Sequence, residues 1–201
     1  MKAGNARDIV RAADTISLLV EIEKENENVS VVSHEATHHL AGNTGLLPRG
    51  HHIPTWVHEG LATYFEAPKD AVWSGIGAVN EERLDLYREL EKDTVHSNIQ
   101  FITENRIFTQ AANINSQLHG YGQSWALTHF LMERHFEQLI KYYRALAKQP
   151  EGKSISADEQ GKIFRDIFGK NTEGLDAEWR AYMSDLQTDL EKIIEPAAKK
   201  K

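Results

Sequence analysis

The sequence predicts a mainly α-helical (α+β) fold with a reduced N-terminal β element and a helical C-terminal part. Apolar residues recur at helical spacing along most of the 201 residues, and just one short run, residues 16–22 (ISLLVEI), has the β-branched composition typical of a strand. Hydrophobic residues make up 40% of the chain, which is ordinary for a globular domain. We therefore expect a single domain over residues 1–195 and a disordered tail over residues 196–201.

Two helices separated by a turn-rich loop are expected after the strand. The first begins near Ser30 and runs to about Leu40, and the loop that follows is rich in glycine and proline. Pro54 is suited to the first turn of the second helix, which we expect to end near Glu66. An amphipathic pattern predicts a third helix over residues 81–92.

The C-terminal half has the patterns of four more helices. Residues 122–135 are apolar around much of the helix circumference, which predicts a buried central helix. We expect this helix to pack behind the candidate site described below. Amphipathic patterns predict further helices over residues 139–148, 160–168 and 172–194, and Gly169 is placed to end the second of these.

Charge and composition exclude several classes of function. The net charge of −7, with no polybasic run, argues against nucleic acid as the main partner. The chain has no cysteine, so a metal ion would be held by His, Asp or Glu. No apolar run approaches the roughly 20 residues that a membrane-spanning helix needs, and we therefore expect no membrane span in this chain.

The segment His34-Glu35-Ala36-Thr37-His38 is the main indication of chemistry. On a helix, His34 and His38 lie one turn apart on the same face, so both imidazoles can bind one ion. Glu35 points about 100° away, where it can act on water at the metal without binding the metal itself. Such a short match also arises by chance, and the alternative is that these histidines are ordinary core or surface residues.

The following helix supplies a third ligand. A catalytic zinc site needs three protein ligands and one open position, and two imidazoles with one carboxylate are a common set. Glu59, in Trp56-Val57-His58-Glu59-Gly60, lies 21 positions after His38 and fits this role. The alternative is a solvated helix residue. We expect His39, His58 and the loop residues His51 and His52 not to be ligands, although the last two could contact a substrate.

The chain resembles the gluzincin zinc metallopeptidases and, among them, the peptidase-MA-like bacterial domains of unknown function. The resemblance rests on five segments: HEATHHLAGNTGLL (34–47), PTWVHEGLATYFEAP (54–68), IGAVNEERLDLYREL (76–90), YGQSWALTHFLMER (121–134) and FGKNTEGLDAEWRAYM (168–183). It implies a zincin-like fold in which His34, His38 and Glu59 bind zinc and Glu35 is the general base. Relatives of this kind are often exported, so a periplasmic or secreted location is one expectation.

The sequence also departs from the family pattern. Gluzincins often have an acidic residue four positions after the glutamate ligand to orient a histidine, but that position is Thr63 here. The Gly-x-Met-Glu-Asn segment with which aminopeptidases bind the substrate amine is absent, so we expect an endopeptidase. The region before the first helix is short for the sheet that usually precedes it.

The expected reaction is hydrolysis of a peptide or protein substrate at an amide bond. Zinc would lower the pKa of the attacking water, and Glu35 would take its proton and pass it to the leaving amine. Tyr121 and, less favoured, His119 are candidate donors to the oxyanion, because a glycine-flanked segment can bring them into a cleft. The alternative is that both are structural, as we also expect for Asn80 and Arg83, which would attach the loop before residue 79 to the next helix.

Two other functional classes are open at this level. A catalytically inactive zinc-binding pseudopeptidase would act as a binding module, and a metal-free helical protein would act through its surface. The sequence contains no specificity pocket that can be identified, and it leaves the compartment and the oligomeric state open.

Overall fold

The computed structural model describes residues 17–18, 21, 29–66, 77–110, 116–188 and 191–194. Within these ranges the regular structure is helical and contains no strand. The main helices are, in chain order, α1 (29–43), α2 (Thr55–Tyr64), α3 (Glu81–Leu90), α4 (Ile99–Thr103), α5 (Arg106–Thr109), α6 (Ser116–Arg134), α7 (Phe136–Ala147), α8 (Ala157–Phe168) and α9 (Thr172–Asp185). The mainly α-helical class is therefore confirmed.

The predicted N-terminal strand is wrong for the residues that can be assessed. Ser17, Leu18 and Glu21 are helical, and the remaining residues of the 16–22 run lie outside the described part of the chain. A short continuous apolar run does not distinguish a strand from a helix, since it lacks a period of two. Among the described residues there is also no second strand with which this run could pair. The predicted tail over residues 196–201 lies outside the described residues as well.

Most helices agree with their predicted positions, and the differences lie at their ends. Helix α6 begins at Ser116, before the predicted residue 122, so His119 and Tyr121 lie within the helix and not in a segment that precedes it. Helix α8 begins before the predicted Gln160 because Ser156 and Glu159 form a capping box. Helix α9 ends at Asp185, well before the predicted residue 194, because Leu186 adopts an extended conformation, with ψ of 126°. Residues 191–194 form a separate helical segment.

Helix α6 is the centre of the core, as its apolar circumference predicted. Its side chains from Trp125 to Leu127, together with Phe130 and Leu131, are fully buried. Helices α2, α3, α5, α7 and α9 all pack against it. No helix in the described residues is both long and apolar enough to cross a bilayer.

Two glycines allow the closest of these helix contacts. A Cβ atom at Gly60 of α2 would lie 2.7 Å from the carbonyl oxygen of Ser124 on α6, and one at Gly122 of α6 would lie 2.6 Å from Cβ of Leu86 on α3. Real Cβ atoms do not approach so closely, so any side chain at either position would force the helices apart. Because Gly60 follows Glu59 and Gly122 follows Tyr121, these contacts determine where two predicted site residues lie.

Candidate metal centre

Helix α1 presents both histidines of the motif on one face. The Nε2 atoms of His34 and His38 are 3.1 Å apart, and their rings meet edge to face with centroids 4.7 Å apart. Both side chains are partly buried, with exposed fractions of 15% and 27%. A single ion placed beside the two Nε2 atoms would therefore still be accessible to water and to a substrate.

Glu59 of α2 brings a carboxylate oxygen to the same point. Its Oε2 atom lies 3.3 Å from Nε2 of His34 and 3.7 Å from Nε2 of His38. Ligands at about 2.0–2.1 Å in a tetrahedral zinc site are separated by about 3.3 Å, which is close to the three distances found here. The predicted ligands His34, His38 and Glu59 thus form a group that could hold a metal ion.

The environment of Glu59 Oε2 also fits a cation. This oxygen is buried, and the Nε2 atoms of His34 and His38 lie 3.3 and 3.7 Å from it. A buried carboxylate oxygen needs a positive partner, which is either a proton on His34 or a bound cation. Two imidazole nitrogens and one carboxylate oxygen are donors that suit zinc, and three protein ligands leave one position open.

Glu66 is a residue of this site that the sequence analysis missed. Its Oε1 atom is 2.9 Å from Nδ1 of His34, and its side chain is only 4% exposed. Since Nδ1 donates its proton to this carboxylate, Nε2 is left with the lone pair that a metal needs. Thr63, at the position where relatives have the orienting acid, instead donates its hydroxyl to the backbone oxygen of Glu59.

The sequence did contain a signal for Glu66. It lies seven positions after Glu59, which is two helical turns, so both carboxylates are near the same side of α2. The sequence analysis considered only Thr63, four positions after Glu59, and therefore missed Glu66. Helix α2 ends at Tyr64, and the turn through Phe65 keeps Glu66 close to the helical path.

Arg83 and Asn80 fix the Glu66 carboxylate from α3. Arg83 donates to both oxygens, from Nε to Oε2 at 3.1 Å and from Nη2 to Oε1 at 3.0 Å, and the Asn80 amide donates to Oε2 at 2.9 Å. We expected both residues to support the preceding loop, most of which lies outside the described residues; their observed partner is Glu66. Burial acts to raise the pKa of Glu66, but the hydrogen bonds from His34 and Arg83 outweigh it and lower that pKa.

The two carboxylates determine the protonation of His34. Hydrogen bonds with Glu59 and then Glu66 raise the pKa of His34 to about 9, against the opposing effect of burial. A cation that binds Nε2 must therefore displace a proton. His58 behaves differently, because burial and the nearby His38 lower its pKa.

Of the three predicted catalytic residues, two lie near the candidate ligands and one does not. Glu35 is exposed and lines a cavity of about 450 Å³ together with His34 and Tyr121. The Tyr121 ring lies 6.4 Å from the His34 ring, centroid to centroid. His119 is two positions earlier on α6, about 200° around the helix, and it pairs with Glu89 at 3.1 Å. The structure therefore brings Glu35 and Tyr121 to the metal ligands, but not His119.

A second cavity, of about 480 Å³, lies beside His38 and Glu59 and shares no lining residue with the first. It is lined by His38 and Glu59 and by side chains of the loop between α1 and α2, including Arg49 and His51, as well as by His58. The remaining loop histidine, His52, has Gln160 and Ser154 as its neighbours.

The fold and site define a helical protein with a candidate His-His-Glu metal centre. Residues 28–151 match the model of the family described as Protein of unknown function (DUF1570), and the chain belongs to that family. The matched region includes α1, α2, α3 and α6, and so the three candidate ligands together with Glu35, Glu66, Arg83 and Tyr121. No curated protein and no solved structure matches the chain.

The geometry predicts one bound zinc ion. Elemental analysis after dialysis against zinc should find about one equivalent in the wild type and little in His34→Ala, because two ligands alone bind zinc weakly. The matched control is His39→Ala, since His39 is exposed on the same helix and is not among the metal-binding group. Equal zinc content in the wild type and His34→Ala would contradict the assignment.

Glu66 should strengthen zinc binding through His34. The substitution Glu66→Gln should weaken zinc affinity by about tenfold to a hundredfold, the usual effect of losing the partner of a metal-binding histidine. Competition with a chromophoric chelator measures this affinity. Glu89→Gln, which removes an exposed carboxylate from α3, should leave it unchanged. A folded Glu66→Gln protein with wild-type affinity would show that Glu66 has no such role.

Proposed function

We propose that this protein is a zinc-dependent metallopeptidase that hydrolyses peptide bonds, with Glu35 as general base. One observation supports the proposal above all: the three ligand atoms have the mutual distances of a tetrahedral zinc site, and Glu35 lines the cavity beside them. The composition of this group, with one open position, is that of catalytic rather than structural zinc sites.

Glu35 is suited to proton transfer. When bound, zinc supplies a Lewis acid that polarises a carbonyl group and favours deprotonation of water. The Glu35 carboxylate is exposed and has no hydrogen bond or ion pair with another described residue, so it is free to accept a proton from the attacking water. The same carboxyl group then donates that proton to the departing amine nitrogen as the C–N bond breaks.

Tyr121 supplies a hydrogen-bond donor on the same side of the ligands. Burial and the nearby carboxylate of Glu59 raise the pKa of Tyr121, which keeps its phenol protonated at neutral pH. The Arg83 guanidinium carbon lies 5.6 Å from the centre of the Tyr121 ring, a cation–π contact that helps to fix the ring. A neutral phenol held in this way can donate to the oxygen that becomes negative when water attacks the carbonyl.

The two cavities favour an endopeptidase over an aminopeptidase. They flank the ligands on opposite sides, with volumes of about 450 and 480 Å³, and each has room for substrate side chains. A peptide can therefore extend from the metal in both directions. The carboxylate of Glu66, which could otherwise bind a substrate amine, is already occupied by Arg83 and His34.

Removal of the base should separate catalysis from metal binding. Glu35→Gln should keep one zinc equivalent but lower the rate of cleavage by about a hundredfold or more, since general base catalysis contributes that much. Mass spectrometry of a proteome-derived peptide library measures cleavage, with Glu89→Gln as a control that should cleave normally. If the zinc-loaded wild type cleaves no peptide, the protein is instead a zinc-binding module without peptidase activity.

The positions of Tyr121 and His119 predict different kinetic effects. Tyr121→Phe should lower kcat by about tenfold to a hundredfold with little change in KM, because a donor to the oxyanion acts mainly in the transition state. His119→Gln should have nearly wild-type kinetics, since its partner is Glu89. Steady-state assays on one cleaved peptide test both. A loss of kcat in His119→Gln, with Tyr121→Phe unaffected, would reverse the assignment.

A further inference from the structure

The cavity on the His38 side of the ligands has features of a binding site for a substrate group. His38 and Glu59 form part of its wall, so a substrate bound at the metal would extend directly into it. Leu47 and Ile53, loop residues that are only 2% and 9% exposed, contribute apolar side chains to its lining. Its volume of about 480 Å³ is sufficient for a side chain or a chain terminus.

Arg49 is the cation of this cavity, and it has no acidic partner. Its Nη2 atom donates to Nδ1 of His39 at 3.3 Å, and no ion pair joins Arg49 to a carboxylate of the described residues. Arg83, on the opposite side of the metal ligands, is by contrast occupied by Glu66 and lies 3.7 Å from Glu82. An arginine that borders a cavity and is not paired with a carboxylate can offer its N–H groups to a ligand.

The backbone of α1 holds Arg49 in this place. A Cβ atom at Gly42 would lie 3.3 Å from Nε and 3.4 Å from Cγ of Arg49, so the arginine lies across the helix where position 42 has no side chain. The imidazoles of His51 and His58 add further hydrogen-bonding groups to the wall. Glu59 is the single carboxylate among the cavity's lining residues, and it is a proposed metal ligand.

We propose that this cavity binds a carboxylate group of the substrate, with Arg49 as the residue that recognises it. The inference rests on the proposed peptidase function and makes it more specific: the preferred substrate has an acidic side chain or a free C-terminus near the scissile bond, on the Arg49 side. A carboxylate is the anion that every peptide can offer, and its planar shape matches the guanidinium group.

Peptide hydroxamates, which bind a catalytic metal through the hydroxamate group, test this without requiring turnover. Two sets of hydroxamates are needed. In one set the peptide extends from the metal-binding group toward its C-terminus, and in the other toward its N-terminus. Each set contains a Glu version and a Gln version of one peptide. In the set that extends toward the C-terminus, each peptide is also made with a free and with an amidated terminus. Calorimetry gives the Kd for the zinc-loaded wild type, for Arg49→Gln, and for Arg144→Gln as an exposed arginine of α7 outside the cavity.

In one of the two sets, the wild type should bind the carboxylate version about threefold to tenfold more tightly than its neutral counterpart, as expected for a partly exposed ion pair. The preference should disappear in Arg49→Gln, persist in Arg144→Gln, and decrease as salt is added. A preference for Glu identifies a side-chain carboxylate, and a preference for the free terminus identifies the chain end.

Other results overturn the proposal in distinguishable ways. Equal Kd values for carboxylate and neutral versions, or a preference that remains in Arg49→Gln, would remove the carboxylate site and leave the metallopeptidase assignment intact. If no hydroxamate binds and no zinc is retained, the proposed function itself fails, and the carboxylate site fails with it.

Discussion

The close packing of α2 and α3 against α6 is the constraint on which the candidate metal centre depends. Gly60 and Gly122 let the helix backbones approach to distances that no side chain would permit. The residues before these glycines, Glu59 and Tyr121, are thereby placed beside His34 of α1. Rigid helices hold the groups of a site more accurately than loops do, which favours a preformed metal centre.

The carboxylate of Glu66 connects the remaining parts of the site. It is almost fully buried, and a buried charge is tolerated only when it is well paired. Its three partners come from two elements: His34 from α1, and Arg83 and the capping residue Asn80 from α3. Arg83 also contacts the ring of Tyr121 on α6. One ion-pair network therefore orients a candidate metal ligand and the proposed oxyanion donor together.

The charged groups on the two sides of the candidate ligands differ, so the two ends of the proposed cleft are not equivalent. On the Tyr121 side, the cation Arg83 is neutralised within the protein, and Glu35 has a free carboxylate for proton transfer. On the other side, Arg49 has no carboxylate partner among the described residues. It would orient a substrate that has a carboxylate at one end.

Local spacing was enough to predict most of the helices and the pairing of His34 with His38, because residues one turn apart share a helix face whatever the rest of the chain does. Glu59, on another helix, was predicted from the set of ligands that a catalytic zinc site needs. The same argument failed for residues 16–22, since a short apolar run fits a strand or a helix equally well and only its neighbours decide. The tertiary structure alone decided that Glu66 contacts His34, that Tyr121 rather than His119 faces the ligands, and that Arg49 borders a cavity. These contacts join residues from different helices, and their distances depend on how closely the helices pack, which no spacing along the sequence specifies.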